Sequence, residues 1–165
     1  MIPIRGEAIK KLIPQREPMI MIDAFYNATD SEADTGLTIA DDLLFCNNCF
    51  FEEPGLVEHI AQSASALAGY KALLANNQPP VGFIGEVKKC SICFLPRTGD
   101  VLYTHIRIIS EVLGVSLLSA ETKVNDETAV QCQMKIYNET KPDFCEIPQM
   151  QVNSNHASSK RPSNY

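Results

Sequence analysis

The hydrophobic pattern changes period once along this chain. From residue 81 onward, long runs at 81–95, 100–113, 115–124 and 128–138 are rich in apolar and β-branched residues and read as strands. Turn signals separate them at Pro96-Arg97-Thr98-Gly99, at Gly114 and at Asn125-Asp126-Glu127. Before that point, residues 53–76 form a single stretch of small and apolar residues. Pro54-Gly55 opens it and Asn76-Asn77-Gln78-Pro79-Pro80 closes it, which predicts a helix of roughly 35 Å at 1.5 Å per residue. Residues 6–13 predict a short amphipathic helix that stops before Pro14. Residues 18–28 and 32–40 predict two strands, and 41–51 a loop rich in Asn and Cys.

The predicted order is short helix, two strands, one long helix, four strands. Consecutive strands joined by tight turns imply an antiparallel sheet. One buried helix packed on such a sheet is an α+β arrangement. The folded domain is expected over 1–140. Residues 141–165 form a separate tail, Ser- and Asn-rich from Gln149 onward and expected to be largely disordered.

Composition narrows the classes. The chain has 165 residues, 45% hydrophobic and 21% charged, which suits one globular domain. Its net charge of −6, with no basic run before the tail, argues against nucleic acid as a partner. No apolar run approaches the roughly 20 residues that span a bilayer. The polar N-terminus does not read as a signal peptide, so a cytoplasmic location is expected, with reduced cysteines. Cys46-x-x-Cys49 and Cys90-x-x-Cys93 have zinc-knuckle spacing. Residues 88–94 read as extended, however, and residues three apart on a strand point to opposite faces, so Cys90 and Cys93 are not expected to share an ion; the cysteines are read as small buried hydrophobes, and no metal or other cofactor is expected.

The long helix carries the candidate chemistry. Glu58 and Gln62 are four apart and share one face. Around them, Ala61, Ala64, Ala66, Ala68 and Gly69 allow close approach by other backbone. Glu58 near a helix start in an apolar cleft suits a general acid or base, although the helix dipole alone also favours an acid there. Gln62 either orients a ligand or satisfies buried backbone. Gly55 offers a backbone N–H at the helix start to a ligand oxygen, and a tight helix entry also calls for Gly there. Asn48 can bind a ligand or simply serve a turn. Arg16 reads as a partner for an anionic ligand group or for a structural acid.

The element order resembles the hotdog fold, a curved antiparallel sheet wrapped around a central helix. The motifs resemble those of its 3-hydroxyacyl-(acyl carrier protein) dehydratases: Leu12-Ile13-Pro14-Gln15-Arg16-Glu17-Pro18, then Pro54-Gly55, then Glu58-His59-Ile60-Ala61-Gln62, then Pro96-Arg97-Thr98-Gly99-Asp100. The short step from Pro-Gly to Glu, and the run from Ala61 to Gly69, look most like the subgroup of aryl-polyene and flexirubin-type pigment clusters. The resemblance implies catalysis by Glu58 and Gln62, with Gly55 and Asn48 on the substrate. It implies a thioester of acyl carrier protein or coenzyme A as ligand, and a homodimer or larger assembly, including a hetero-oligomer with a second hotdog protein.

One departure matters. The family places a histidine in the loop before the helix, where it acts with the helix carboxylate of the neighbouring subunit. Residues 1–58 of this chain contain no histidine. The loop offers Cys46, Asn47, Asn48 and Cys49 instead, and His59 lies about 100° round the helix from Glu58. Dehydratase-like chemistry is therefore expected to need a group from elsewhere. A thioesterase using Glu58 alone, and a non-catalytic subunit partnering an active dehydratase, are the alternatives.

Overall fold

A computed structural model describes residues 2–138, and the expected tail lies outside them. The strands are β1 (Ile4–Arg5), β2 (Ala24–Ala28), β3 (Glu32–Thr38), β4 (Cys46–Asn47), β5 (Phe50–Phe51), β6 (Gly82–Ile92), β7 (Val101–Val112), β8 (Val115–Val124) and β9 (Glu127–Asn138). A 3₁₀ helix spans Gly6–Lys11, and one α-helix, α1, spans Glu53–Leu74. Seven strands form one antiparallel sheet in the order β1-β2-β3-β7-β8-β9-β6. The α+β hotdog architecture expected from the sequence is the one observed.

The sheet face toward α1 alternates as a half-buried sheet must. Leu102, Thr104 and Ile106 on β7, and Leu118, Ala120 and Thr122 on β8, are all buried. They pack with Leu56, Ile60 and Leu67 of the helix and with Ile9, Leu12, Ile13, Met21 and Ile22 from the N-terminal segment. Helix and segment touch closely at Gly69: a Cβ there would sit 1.8 Å from the Leu12 carbonyl oxygen.

Two expectations are corrected. Only Ala24–Ala28 of the apolar stretch 18–28 is strand. The residues before it run along α1, and the Gln62 side chain, not a neighbouring strand, binds the backbone of Met19 and Met21. The four C-terminal strands are also not a simple succession of hairpins. β6 sits at the sheet edge beside the last strand, β9, while β7 lies between β3 and β8. Pro96 to Gly99 is thus part of a crossover. It is pinned to the loop before α1 by Phe51 N–H to the Pro96 carbonyl (2.8 Å) and Thr98 N–H to the Cys49 carbonyl (3.0 Å).

Candidate active site

α1 begins after Glu52 without a side-chain cap, and Pro54 is tolerated in its first turn, where its missing N–H would have no intrahelical partner. Gly55 follows because the space is full. A Cβ there would lie 2.6 Å from the Phe51 ring and 2.8 Å from Phe45 Cβ. The Gly55 N–H donates to the Glu52 carbonyl at 3.0 Å. In this protomer that amide is engaged within the first turn, and Gly55 is not among the residues around Glu58's cleft.

Glu58 is half-buried and lines a cleft of about 500 Å³ between α1, the edge strand β6 and the ends of β7 to β9. The walls are largely apolar, with Ala61, Ala64, Leu67 and Ala68 from the helix and Ile108, Leu118 and Ile136 from the sheet. Glu58 Oε1 accepts a hydrogen bond from Gln62 Nε2 at 2.7 Å. The remaining polar capacity of Gln62 is spent on backbone: its Nε2 also donates to the Met19 carbonyl, and its Oε1 accepts from Met21 N–H at 2.7 Å. Of the two readings of Gln62, satisfaction of buried backbone is the one the geometry displays. The same side chain fixes the carboxylate beside it.

Asn48 is not in this cleft. Asn48 and Cys49, with φ of 49° and 67°, form the two-residue tip of the β4–β5 hairpin, where positive φ at both positions matches the strand twist. Arg16 binds the Ile13 and Gln15 carbonyls (2.9 and 2.7 Å), so among the described residues it pairs with backbone and not with an acid.

The histidines are elsewhere. His59 is fully buried and faces the sheet. Its Nδ1–H donates to the Met21 carbonyl at 2.6 Å, and its Nε2 accepts from the Thr104 hydroxyl at 2.7 Å. Thr104 in turn accepts from Thr122 at 2.7 Å. Burial outweighs the Met21 hydrogen bond and the Asp23 charge and pushes the His59 pKa down to about 4, so the ring is neutral. His105 lies on the outer face of β7, paired with Asp34 at 2.8 Å. His156 lies outside the described residues. Among the described residues, the cleft is lined by the carboxylates of Glu58 and Glu111 but by no imidazole.

The cysteines of the second zinc-like pair are separated by an irregularity the sequence reading did not contain. β6 shifts register between Lys88 and Ser91, with Lys89 at φ 47°, so the regular alternation assumed for this strand is broken. Among the described residues, no three His, Cys, Asp or Glu side chains are grouped to hold a metal. None of the helices among these residues is long and apolar enough to cross a membrane.

This fold recurs in known structures. The "dehydratase heterocomplex ApeI:P" from Xenorhabdus doucetiae aligns with a TM-score of 0.75 at 15% identity, over 81% of this chain and 91% of that one. A hypothetical thioesterase protein with coenzyme A from Streptococcus pneumoniae aligns at 0.55 with 6% identity, over 69% and 83%. The chain is a hotdog protein. It belongs to the ApeP-like dehydratase family, whose model matches residues 7–148. By sequence it is 27% identical over 142 residues to the 3-hydroxyacyl-[acyl-carrier-protein] dehydratase FabZ of Psychrobacter arcticus, covering 81% of this chain and 96% of the relative. The corresponding protein of Lactiplantibacillus plantarum is 24% identical over 136 residues, covering 76% and 88%.

Sequence reasoning found Glu58 and the alanines Ala61, Ala64 and Ala68 beside it but missed the polar and cross-element residues of the cleft. Ser65 was within reach, since it lies seven residues on and so shares Glu58's helix face. Gln15 and the β6 residues Phe83 and Ile84 gave no local signal, because only the tertiary fold brings them to the helix.

Proposed function

We propose that this chain is a dehydratase-type hotdog subunit in which Glu58 transfers protons on a 3-hydroxyacyl thioester. Its active site is completed by a group from a second subunit. Elimination needs a base for the C2 proton, an acid for the leaving hydroxyl and a donor for the thioester oxygen. One observation carries the reading: Glu58, held by Gln62, is an acid–base group in a cleft with no histidine beside it among the described residues. The missing function is assigned to a second hotdog protein, a reading supported by the structural relative being part of a dehydratase heterocomplex. Within such a pair, Asn48 at the exposed hairpin tip is the candidate substrate contact, reaching across to the neighbour. The substrate is a thioester of acyl carrier protein or coenzyme A, handled in the cytoplasm.

The test assays dehydration and hydrolysis side by side on carrier-protein and coenzyme A thioesters, with the protein alone and mixed with a hotdog partner. Dehydration is expected only in the mixture, lowered on the order of 100-fold or more by Glu58→Gln. Robust dehydration by the protein alone, indifferent to Glu58→Gln, overturns the proposal. Hydrolysis lost on Glu58→Gln would instead assign a thioesterase. Activity of the mixture that ignores Glu58→Gln would assign a non-catalytic partner subunit.

A further inference from the structure

Among the described residues, only two buried side-chain polar atoms have no hydrogen-bond partner: Gln15 Oε1 and Ser65 Oγ. Both residues line the Glu58 cleft. Their coincidence follows from the chain path. Leu12 abuts Gly69, and Gln62 binds Met19 and Met21, so residues 12–21 run back along α1 and bring Gln15 alongside the turn that carries Ser65. Ser65 also differs from its neighbour Ser63. Ser63 Oγ donates to the His59 carbonyl one turn back (2.8 Å), the usual outlet for a serine inside a helix. Ser65 makes no such bond.

Buried polar atoms in native proteins have partners, and an orphan pair in one cleft calls for one. We infer that Gln15 and Ser65 form a recognition point for a substrate group that both donates and accepts a hydrogen bond. Gln15 Oε1 accepts only, so the group must carry an N–H or O–H. The Ser65 hydroxyl can donate or accept, so a group that also offers a lone pair uses its donor as well. A hydroxyl or a secondary amide meets both demands, whereas a hydrocarbon or a bare carbonyl leaves Gln15 unpaired. Ser65 is two helical turns from Glu58, roughly 10 Å at 1.5 Å per residue, so the group lies about that far from the reacting carbons. This rests on the reading of Glu58 as the acid–base residue. Two parts of a thioester can present such a group: the acyl chain, as a hydroxyl, or the carrier arm, as an amide.

The experiment measures binding by calorimetry with unreactive thioethers, on the full chain together with its hotdog partner if one is required. The probes are S-octyl-pantetheine, S-(ω-hydroxyoctyl)-pantetheine and S-octyl-N-acetylcysteamine, which lacks the outer amide. Wild type is expected to favour hydroxyoctyl over octyl, or pantetheine over the truncated arm, by at least about tenfold. Gln15→Leu and Ser65→Ala are each expected to abolish that preference, and the preference that collapses identifies the source. Ser65→Thr, which keeps the hydroxyl, is expected to retain it. Ser65→Ala gives up no hydrogen bond, so its melting temperature should match wild type. The inference falls if wild type shows neither preference, or if both variants keep it. It also falls if the variants weaken all three probes equally with a lowered melting temperature, the mark of a structural role. Failure of wild type to bind any probe overturns the acyl-thioester reading itself, whereas loss of preference effects with Glu58→Gln still inactive overturns only the inference.

Discussion

Gln62 Nε2 donates to Glu58 Oε1 at 2.7 Å, while the same side chain is clamped to the backbone of Met19 and Met21. The candidate catalytic carboxylate is thereby tied to the segment that packs the helix against the sheet. Gln62→Leu removes that tie and leaves the Met21 N–H and Met19 carbonyl without their partner. A loss of about 2 kcal/mol is expected, read from urea unfolding. Gln62→Glu keeps the shape but sets a second carboxylate against Glu58, which favours retention of a proton by the pair. The pH optimum of dehydration should move upward. An unmoved optimum would show that Gln62 does not position the acid–base group.

His59 makes stability depend on pH. Its folded-state pKa, pushed down to about 4 by burial, lies below the ordinary 6.5 of the unfolded chain. Between those values the unfolded chain binds the proton and the native one does not, so stability rises with pH. The contribution is fully present above pH 6.5, is lost as pH falls toward 4, and is worth about 3 kcal/mol. His59→Gln is expected to flatten the unfolding free energy across that window while lowering it at neutral pH. An equally steep fall in the variant would assign the acid sensitivity to other groups.

Gly69 is set by contact, not by backbone freedom. A methyl group there would stand 1.8 Å from the Leu12 carbonyl oxygen, and backbone cannot yield as a flexible side chain can. Gly69→Ala favours the helix intrinsically, yet a net loss of about 3 kcal/mol is expected from the displaced segment. A variant that unfolds at the wild-type urea midpoint would show that residues 12–21 are free to move.

What the sequence made legible was what is local. The period change marked the helix and the strands, and helix spacing put Glu58 and Gln62 on one face. Residues 18–23 misled because their apolar content matched a strand, whereas the side chain that binds the Met21 N–H sits 41 residues away. β6 misled because tight turns imply neighbouring strands, but its partner is the last strand. For Gly55 the sequence offered a substrate donor and a tight helix entry, which are compatible; the crowding by Phe51 and Phe45 that accounts for the second comes from outside the helix and was not legible locally.

The edge strand β6 yields the last prediction. One half of it is defended as isolated edges are, with Lys88 and Lys89 at a bulge. The other half exposes Phe83 at 61%, Ile84 at 42% and Val87 at 37%, a run of large apolar residues unlike a free edge. Phe83 and Ile84 also form the outer flank of the Glu58 cleft. Pairing with a second subunit along this half would bury the apolar run, continue the sheet and close the cleft in one step. Val87 lies on the same strand but does not line the cleft, so it separates assembly from substrate contact. Val87→Lys is expected to shift the protein from dimer to monomer in sedimentation velocity at micromolar concentration. Dehydration by the mixed complex should fall with it and recover as protein concentration is raised. A variant that stays dimeric, or a wild type that sediments as a monomer with and without its partner, would place the interface elsewhere.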